Sequence, residues 1–256
     1  MPLEVCIDST NAAYEALFGD ANRVEICGEL SVGGITPSIG LFESIMRVLR
    51  PWNRVQTRVM IRPRSGDFVY SDSEIAAMIE DIRQFKERGV SGFVFGCLNK
   101  DFTLNEKQCA QLIAEAAPLP CTLHRCFDWT PNWQLAIDKA AALGFDTILT
   151  SGQKPTVGEA VETLAQMARY ASGAIASHTQ SPITIMAGSG LNGDSLNRLL
   201  SESTIQWFHS SASNSVQMAT ESLPPFPMGP SDGALRKCTD RNIVKLQISI
   251  INAAGR

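Results

Sequence analysis

Residues 120–128 read Pro-Cys-Thr-Leu-His-Arg-Cys-Phe-Asp, and this stretch decides the fold. It opens as a short apolar strand. At its C-terminal end it crowds an imidazole (His124), a guanidinium (Arg125), a thiol (Cys126) and a carboxylate (Asp128) into one short run. A strand that only fills a core does not end this way. The same event recurs along the chain: a β-type run ends in polar residues, and a helical pattern follows.

Working outward, Leu3 to Asp8 places Glu4, Cys6 and Asp8 on one strand face and Val5 and Ile7 on the other. Ser9-Thr10-Asn11 then supplies a helix cap. A second strand, Arg23 to Gly28, puts Glu25 and Cys27 on one face, and its loop runs through Gly33-Gly34 to Thr36, predicted to cap a helix with Pro37 in the first turn. The third strand, Gln56 to Ile61, leads into Arg62-Pro63-Arg64-Ser65-Gly66-Asp67-Phe68. Pro63 keeps Arg62 extended, so two guanidinium groups stand at the strand's end, a good receptor for an anion. A fourth strand, Gly92 to Cys97, lies between helices predicted near 72–88 and 105–117.

Downstream of the opening stretch, a helix from Pro131 to Gly144 precedes a sixth strand, Asp146 to Ser151. A long helix to Tyr170 and a surface loop over 172–181, holding a solvated His178, come next. Ile183 to Ala187 runs into Gly188-Ser189-Gly190, and Ile205 to Phe208 ends in His209-Ser210-Ser211. Residues 222–233, rich in proline, read as a loop before a last helix from Asp240 to Ile251.

Eight strands alternating with helices predict a (β/α)8 TIM barrel, a single domain over 1–256, since such barrels typically need about 250 residues. A doubly wound open sheet is the alternative, but the turn after the first strand reads Asp8-Ser9-Thr10-Asn11 rather than a glycine-rich nucleotide turn. In a barrel every strand end points to one mouth. There Cys6, Asp8, Glu25, Cys27, Arg62, Arg64, Cys97, His124, Arg125, Ser151, Gly188, His209 and Ser211 would converge.

The net charge of −4, with no basic run, argues against a nucleic-acid partner. No apolar stretch approaches membrane-spanning length, and the N-terminus has no signal-peptide character. The seven cysteines lack CxxC spacing and predict reduced thiols in a cytoplasmic protein.

The segments Glu4-Val5-Cys6-Ile7-Asp8-Ser9, Arg23-Val24-Glu25-Ile26-Cys27, Gly33-Gly34-Ile35-Thr36-Pro37-Ser38, Met60 to Phe68, Leu123 to Asp128 and Ile148 to Gly152 together resemble the CutC family of copper homeostasis proteins. The resemblance implies a cytosolic barrel, a homo-oligomer, and a role in copper tolerance or trafficking, with Cu(I) ligands falling on Cys6 and Cys27. Two departures stand out: the family tends to carry an acidic residue shortly before the final histidine, where this chain has Gln206-Trp207, and Ser189 takes a position where glycine is common.

Two chemistries follow. Thiolates suit Cu(I), and Cys6 and Cys27 share facing parity on adjacent strands, although small buried cysteines filling a core have the same signature. The other is an enzyme, or a binder, for a small anionic metabolite. Arg62, Arg64, Arg125, Ser151, Gly188, Gly190, His209 and Ser211 would form the receptor, with Glu25 and His124 as general base and acid whose pKa values shift in opposite senses. Salt bridges from Arg62 to Glu4, Glu25 or Asp67 are the structural alternative.

Overall fold

The computed structural model describes residues 1–174, 183–217 and 235–255. His178, most of the 172–181 loop and the whole of the 222–233 loop lie outside these residues, while 172–174 continue the preceding helix. Strands β1 (Leu3–Ile7), β2 (Arg23–Ile26), β3 (Gln56–Met60), β4 (Phe93–Phe95), β5 (Cys121–Leu123), β6 (Thr147–Thr150), β7 (Thr184–Gly188) and β8 (Trp207–Ser210) form a closed parallel barrel in sequence order. Helices α1 (Thr10–Phe18), α2 (Ile39–Leu49), α3 (Asp72–Glu87), α4 (Glu106–Ala116), α5 (Trp133–Leu143), α6 (Val161–Ala174), α7 (Gly193–Glu202) and α8 (Arg241–Ala254) alternate with them. The expected TIM barrel is the observed fold.

Strand alternation sorts the side chains. Leu3, Val5, Ile7, Val24, Ile26, Val59, Ile61, Phe93, Phe95, Leu123, Ile148, Ile185 and Phe208 join the core between barrel and helices. Each fully buried aliphatic or aromatic group there contributes roughly 1.5–3 kcal/mol. The opposite parity fills the barrel. TIM interiors are usually packed with branched aliphatics, but this one holds ion pairs. Glu4 faces Arg23 in the β1–β2 register and binds its Nε, while the Arg23 guanidinium stacks 3.9 Å over the Trp207 ring. Arg58 reaches Asp146 at 2.6 Å and also contacts Thr122.

Short polar side chains cap the starts of most helices. Ser9 caps α1, Asn105 caps α4, Asn132 caps α5 and Asp240 caps α8, each side chain accepting from a backbone N–H of the first turn. Ser71 and Glu74 form a capping box on α3. The cap of α2 differs from expectation: Ser38 holds it, and Thr36 is drawn away because its N–H donates to Arg62 O at 2.8 Å and its Oγ1 accepts from Arg62 N–H at 2.9 Å. After β5 the chain does not stay extended but turns into a short 3-10 helix over Arg125–Trp129. A further two-stranded antiparallel unit, β9 (Ser213–Gln217) with β10 (Leu235–Thr239), lies on either side of the 222–233 stretch, where the sequence predicted no strand.

The Glu4–Arg23 pair is almost wholly buried. Arg23→Met leaves the Glu4 carboxylate buried without its partner, and urea unfolding is expected to show a loss of about 3–5 kcal/mol. In the double variant Arg23→Met/Glu4→Leu most of that loss is expected to return; a double variant as unstable as the single one would mean that packing, not charge balance, sets the cost.

Candidate functional site

Register decides which residues meet. Cys6 lies across from Glu25 in the β1–β2 ladder, and Glu4 across from His209 in the β1–β8 ladder. Inward parity then brings Cys6 Sγ, a Glu25 oxygen and a His209 ring nitrogen to within 4.8 Å of one another, all buried. His209 Nε2 lies 3.0 Å from Glu25 Oε2 and 3.8 Å from Glu4 Oε1. Cys6 Sγ is 3.7 Å from Ser210 O. The carboxylate missing from the segment before His209 is therefore supplied from the neighbouring strands, by Glu4 on β1 and Glu25 on β2.

Burial opposes charge on both members of the ion pair, but the pair wins. Burial works against the His209 imidazolium, yet Cys6 and the Glu25 carboxylate beside it hold its pKa well above the ordinary 6.5. Burial likewise raises Glu25, but His209, a hydrogen bond from Cys27 and His124 together bring it below 4.5. Glu25 Oε1 and Glu4 Oε1 remain buried with no hydrogen-bond partner.

Cys27 stands one layer farther along β2. It is fully buried with Met60 and Val94, its Sγ 3.5 Å from Glu25 Oε2. Burial and then the Glu25 charge push its thiol well above the usual range. Gly34, at φ 83°, is needed behind it, since a Cβ there would come 3.1 Å from Cys27 Sγ.

The mouth of the barrel is a cavity of about 1470 Å³. Cys6, Glu25, Arg62, His124, Arg125, Gly190, His209 and Ser211 line it; Cys27, Arg64, Cys97, Ser151 and Gly188 do not. Arg64 is turned aside, bound to Glu74 at 2.5 Å and Asp67 at 3.1 Å. Arg125 reaches Asp128 at 2.8 Å and Ser151 Oγ at 2.7 Å. Gly188 allows close packing, because a Cβ there would meet Leu149 at 2.6 Å and His209 at 2.9 Å.

Arg62 makes none of the salt bridges considered from sequence. Its Nη1 donates to the carbonyls of Val32 and Gly34, and its Nη2 to that of Gly66, each at 3.0 Å. His124 is buried and held neutral. Its Nδ1 accepts from Cys126 N–H at 3.3 Å, which puts the proton of the neutral ring on Nε2. Burial and the Arg62 charge lower its pKa to about 3. Glu25 and His124 thus shift in the same direction, not opposite ones.

Residues 1–214 match the CutC family model. The chain belongs to the CutC family. It is 35% identical to a copper homeostasis protein CutC homolog of Caenorhabditis elegans over 244 residues, covering 95% of this chain and 92% of the relative. The human homolog of the same name is 39% identical over 210 residues, covering 82% of this chain and 72% of the relative. A CutC crystal structure from Streptococcus agalactiae superposes with a TM-score of 0.74 at 29% identity, over 82% of this chain and 98% of that one. Thiamine phosphate pyrophosphorylase from Pyrococcus furiosus shares the fold alone, at a TM-score of 0.56 and 13% identity, over 99% of this chain and 96% of that one.

Other residues of this CutC mouth escaped the sequence reading. Phe68 and Trp129 line it, and so do Arg236, Lys237 and Cys238 of β10. Only the aromatic residues left a signal, as apolar groups inside otherwise polar strand-end loops. Among the described residues, no helix is long and apolar enough to cross a membrane.

The ion pair sets a pH window. The raised His209 contributes stability fully below 6.5, lost as pH rises through its folded pKa; the lowered Glu25 contributes above 4.5, lost as pH falls through its own. Both contributions are complete between pH 4.5 and 6.5. The stability difference between wild type and Glu25→Gln is expected to peak there and shrink toward alkaline pH, while the NMR titration midpoint of the His209 ring falls in the variant. An unmoved midpoint would mean that Glu25 does not hold the proton on His209.

Proposed function

We propose that this CutC protein binds a copper ion as cargo at the Cys6–Glu25–His209 corner of the barrel, in the copper homeostasis role for which its relatives are named. The observation that carries this reading is the convergence of a thiol, a carboxylate and an imidazole from β1, β2 and β8 within 4.8 Å. A thiolate and an imidazole suit copper, and the unpartnered Glu25 Oε1 and Glu4 Oε1 beside them favour an added positive charge. Here His209 takes the place expected for Cys27, whose thiol is held protonated by burial and by Glu25. Copper takes Cys6 as thiolate and His209 as neutral imidazole, so binding competes with protons and tightens with pH.

The test is an anaerobic Cu(I) titration against a competing chelator at several pH values. Wild type is expected to bind one equivalent, more tightly by up to about tenfold per pH unit for each proton released. Cys6→Ser and His209→Gln are expected to weaken binding at least about tenfold, and Cys27→Ser far less. If Cys27→Ser costs as much as Cys6→Ser, the two-sulfur pair is the site instead. Absence of binding by a normally melting wild type ends the cargo reading.

A further inference from the structure

Among the described residues, three arginines are buried, and they differ in one respect. Arg23 pairs with Glu4 and Arg58 with Asp146, whereas Arg62 has no carboxylate within salt-bridge distance. Its partners are three carbonyl oxygens and the face of Phe68, 4.9 Å from the guanidinium carbon. Carbonyls satisfy N–H groups but neutralise no charge, and an uncompensated cation in a desolvated place is costly. Its Nε–H is buried and has no acceptor at all.

His124 presents a second idle donor. Its ring packs 4.8 Å from Phe68, on the ring that Arg62 also touches, and its Nε2–H is buried without a partner. Both residues line the same cavity. A water molecule could accept from both donors but would leave the charge unbalanced. Neither donor can ligate a metal while protonated, so copper does not answer them either.

The rim above has a different character. Trp129 is half exposed, packs edge-on to Phe68 at 4.9 Å and meets the exposed Phe102 at 6.0 Å. Together they form an aromatic wall. The exposed cations Arg236 and Lys237 of β10 stand on the same rim and favour the approach of a negative charge.

We propose that the mouth also binds a small organic oxyanion, a carboxylate or phosphate carried on a planar apolar body. Its oxygens accept from Arg62 Nε and His124 Nε2, and its body lies against Phe68 and Trp129. The site rests on residues of β3, β5 and their loops, none of which belongs to the copper corner.

The probes are benzoate, phenyl phosphate and the uncharged benzamide, titrated by calorimetry into the full-length, chelator-treated protein. One of the two anions is expected to bind and raise the melting temperature, with benzamide at least about tenfold weaker; the better anion tells carboxylate from phosphate. Arg62→Met is expected to abolish binding. Because Arg62 also holds the 32–34 and 66 loops, Trp129→Ala and His124→Gln serve as second variants, each expected to weaken the preferred anion several-fold while melting normally. Cys6→Ser is expected to leave anion affinity unchanged, which separates this site from the copper reading. The proposal is overturned if no anion binds, if benzamide binds as well, or if a normally melting Arg62→Met retains wild-type affinity.

Discussion

Charge balance inside a closed barrel is the constraint on which this molecule depends. Half of every strand's side chains point into a space that excludes bulk water, and in this chain many of them are ionisable. Each must find its opposite across the strand register or remain at high cost. Glu4 finds Arg23, Arg58 finds Asp146, and Glu25 finds His209. These contacts tie β1 to β2, β3 to β6 and β2 to β8, so the network that keeps the interior electrically tolerable also holds the barrel closed.

What the balance leaves over is located chemistry. On the β8–β1–β2 side the surplus is carboxylate oxygen beside a thiol and an imidazolium, a place that welcomes positive charge. On the β3–β5 side the surplus is N–H, on a guanidinium and a neutral imidazole, a place that welcomes negative charge. The two surpluses face one cavity without cancelling each other. Phe68, packed on both Arg62 and His124, stands on the donor side and limits how far either side chain can turn.

Much of this was legible in the sequence, because strand parity and strand count are local patterns. The barrel, the shared facing of Cys6 and Glu25, and the strand-end positions of His124 and His209 all follow from alternation. Grouping is another matter. Parity says which way Cys27 faces but not its layer, and only the register, a product of barrel closure, sets Cys6 opposite Glu25. Arg62 and Arg64 look alike on either side of Pro63, yet Arg64 is claimed by the Glu74 that caps α3, a competitor that lies a turn further on. Thr36 and Ser38 are equally good caps by type, and the backbone pairing of Thr36 with Arg62 decides between them. Strand β9, Ser-Asn-Ser-Val-Gln, is largely exposed and carries almost no apolar alternation, so nothing marked it.

The short antiparallel ribbon at the rim has a consequence for how such a protein can diversify. Strand β10 lies beyond residue 214, where the match to the family model ends, whereas the Cys6–Glu25–His209 corner and the two idle donors lie wholly before it. The basic strand of the rim and the floor thus come from separate stretches of the chain. Changes in β10 would alter which molecules are admitted, through size and surface charge, without disturbing the interior charge network that holds the barrel shut.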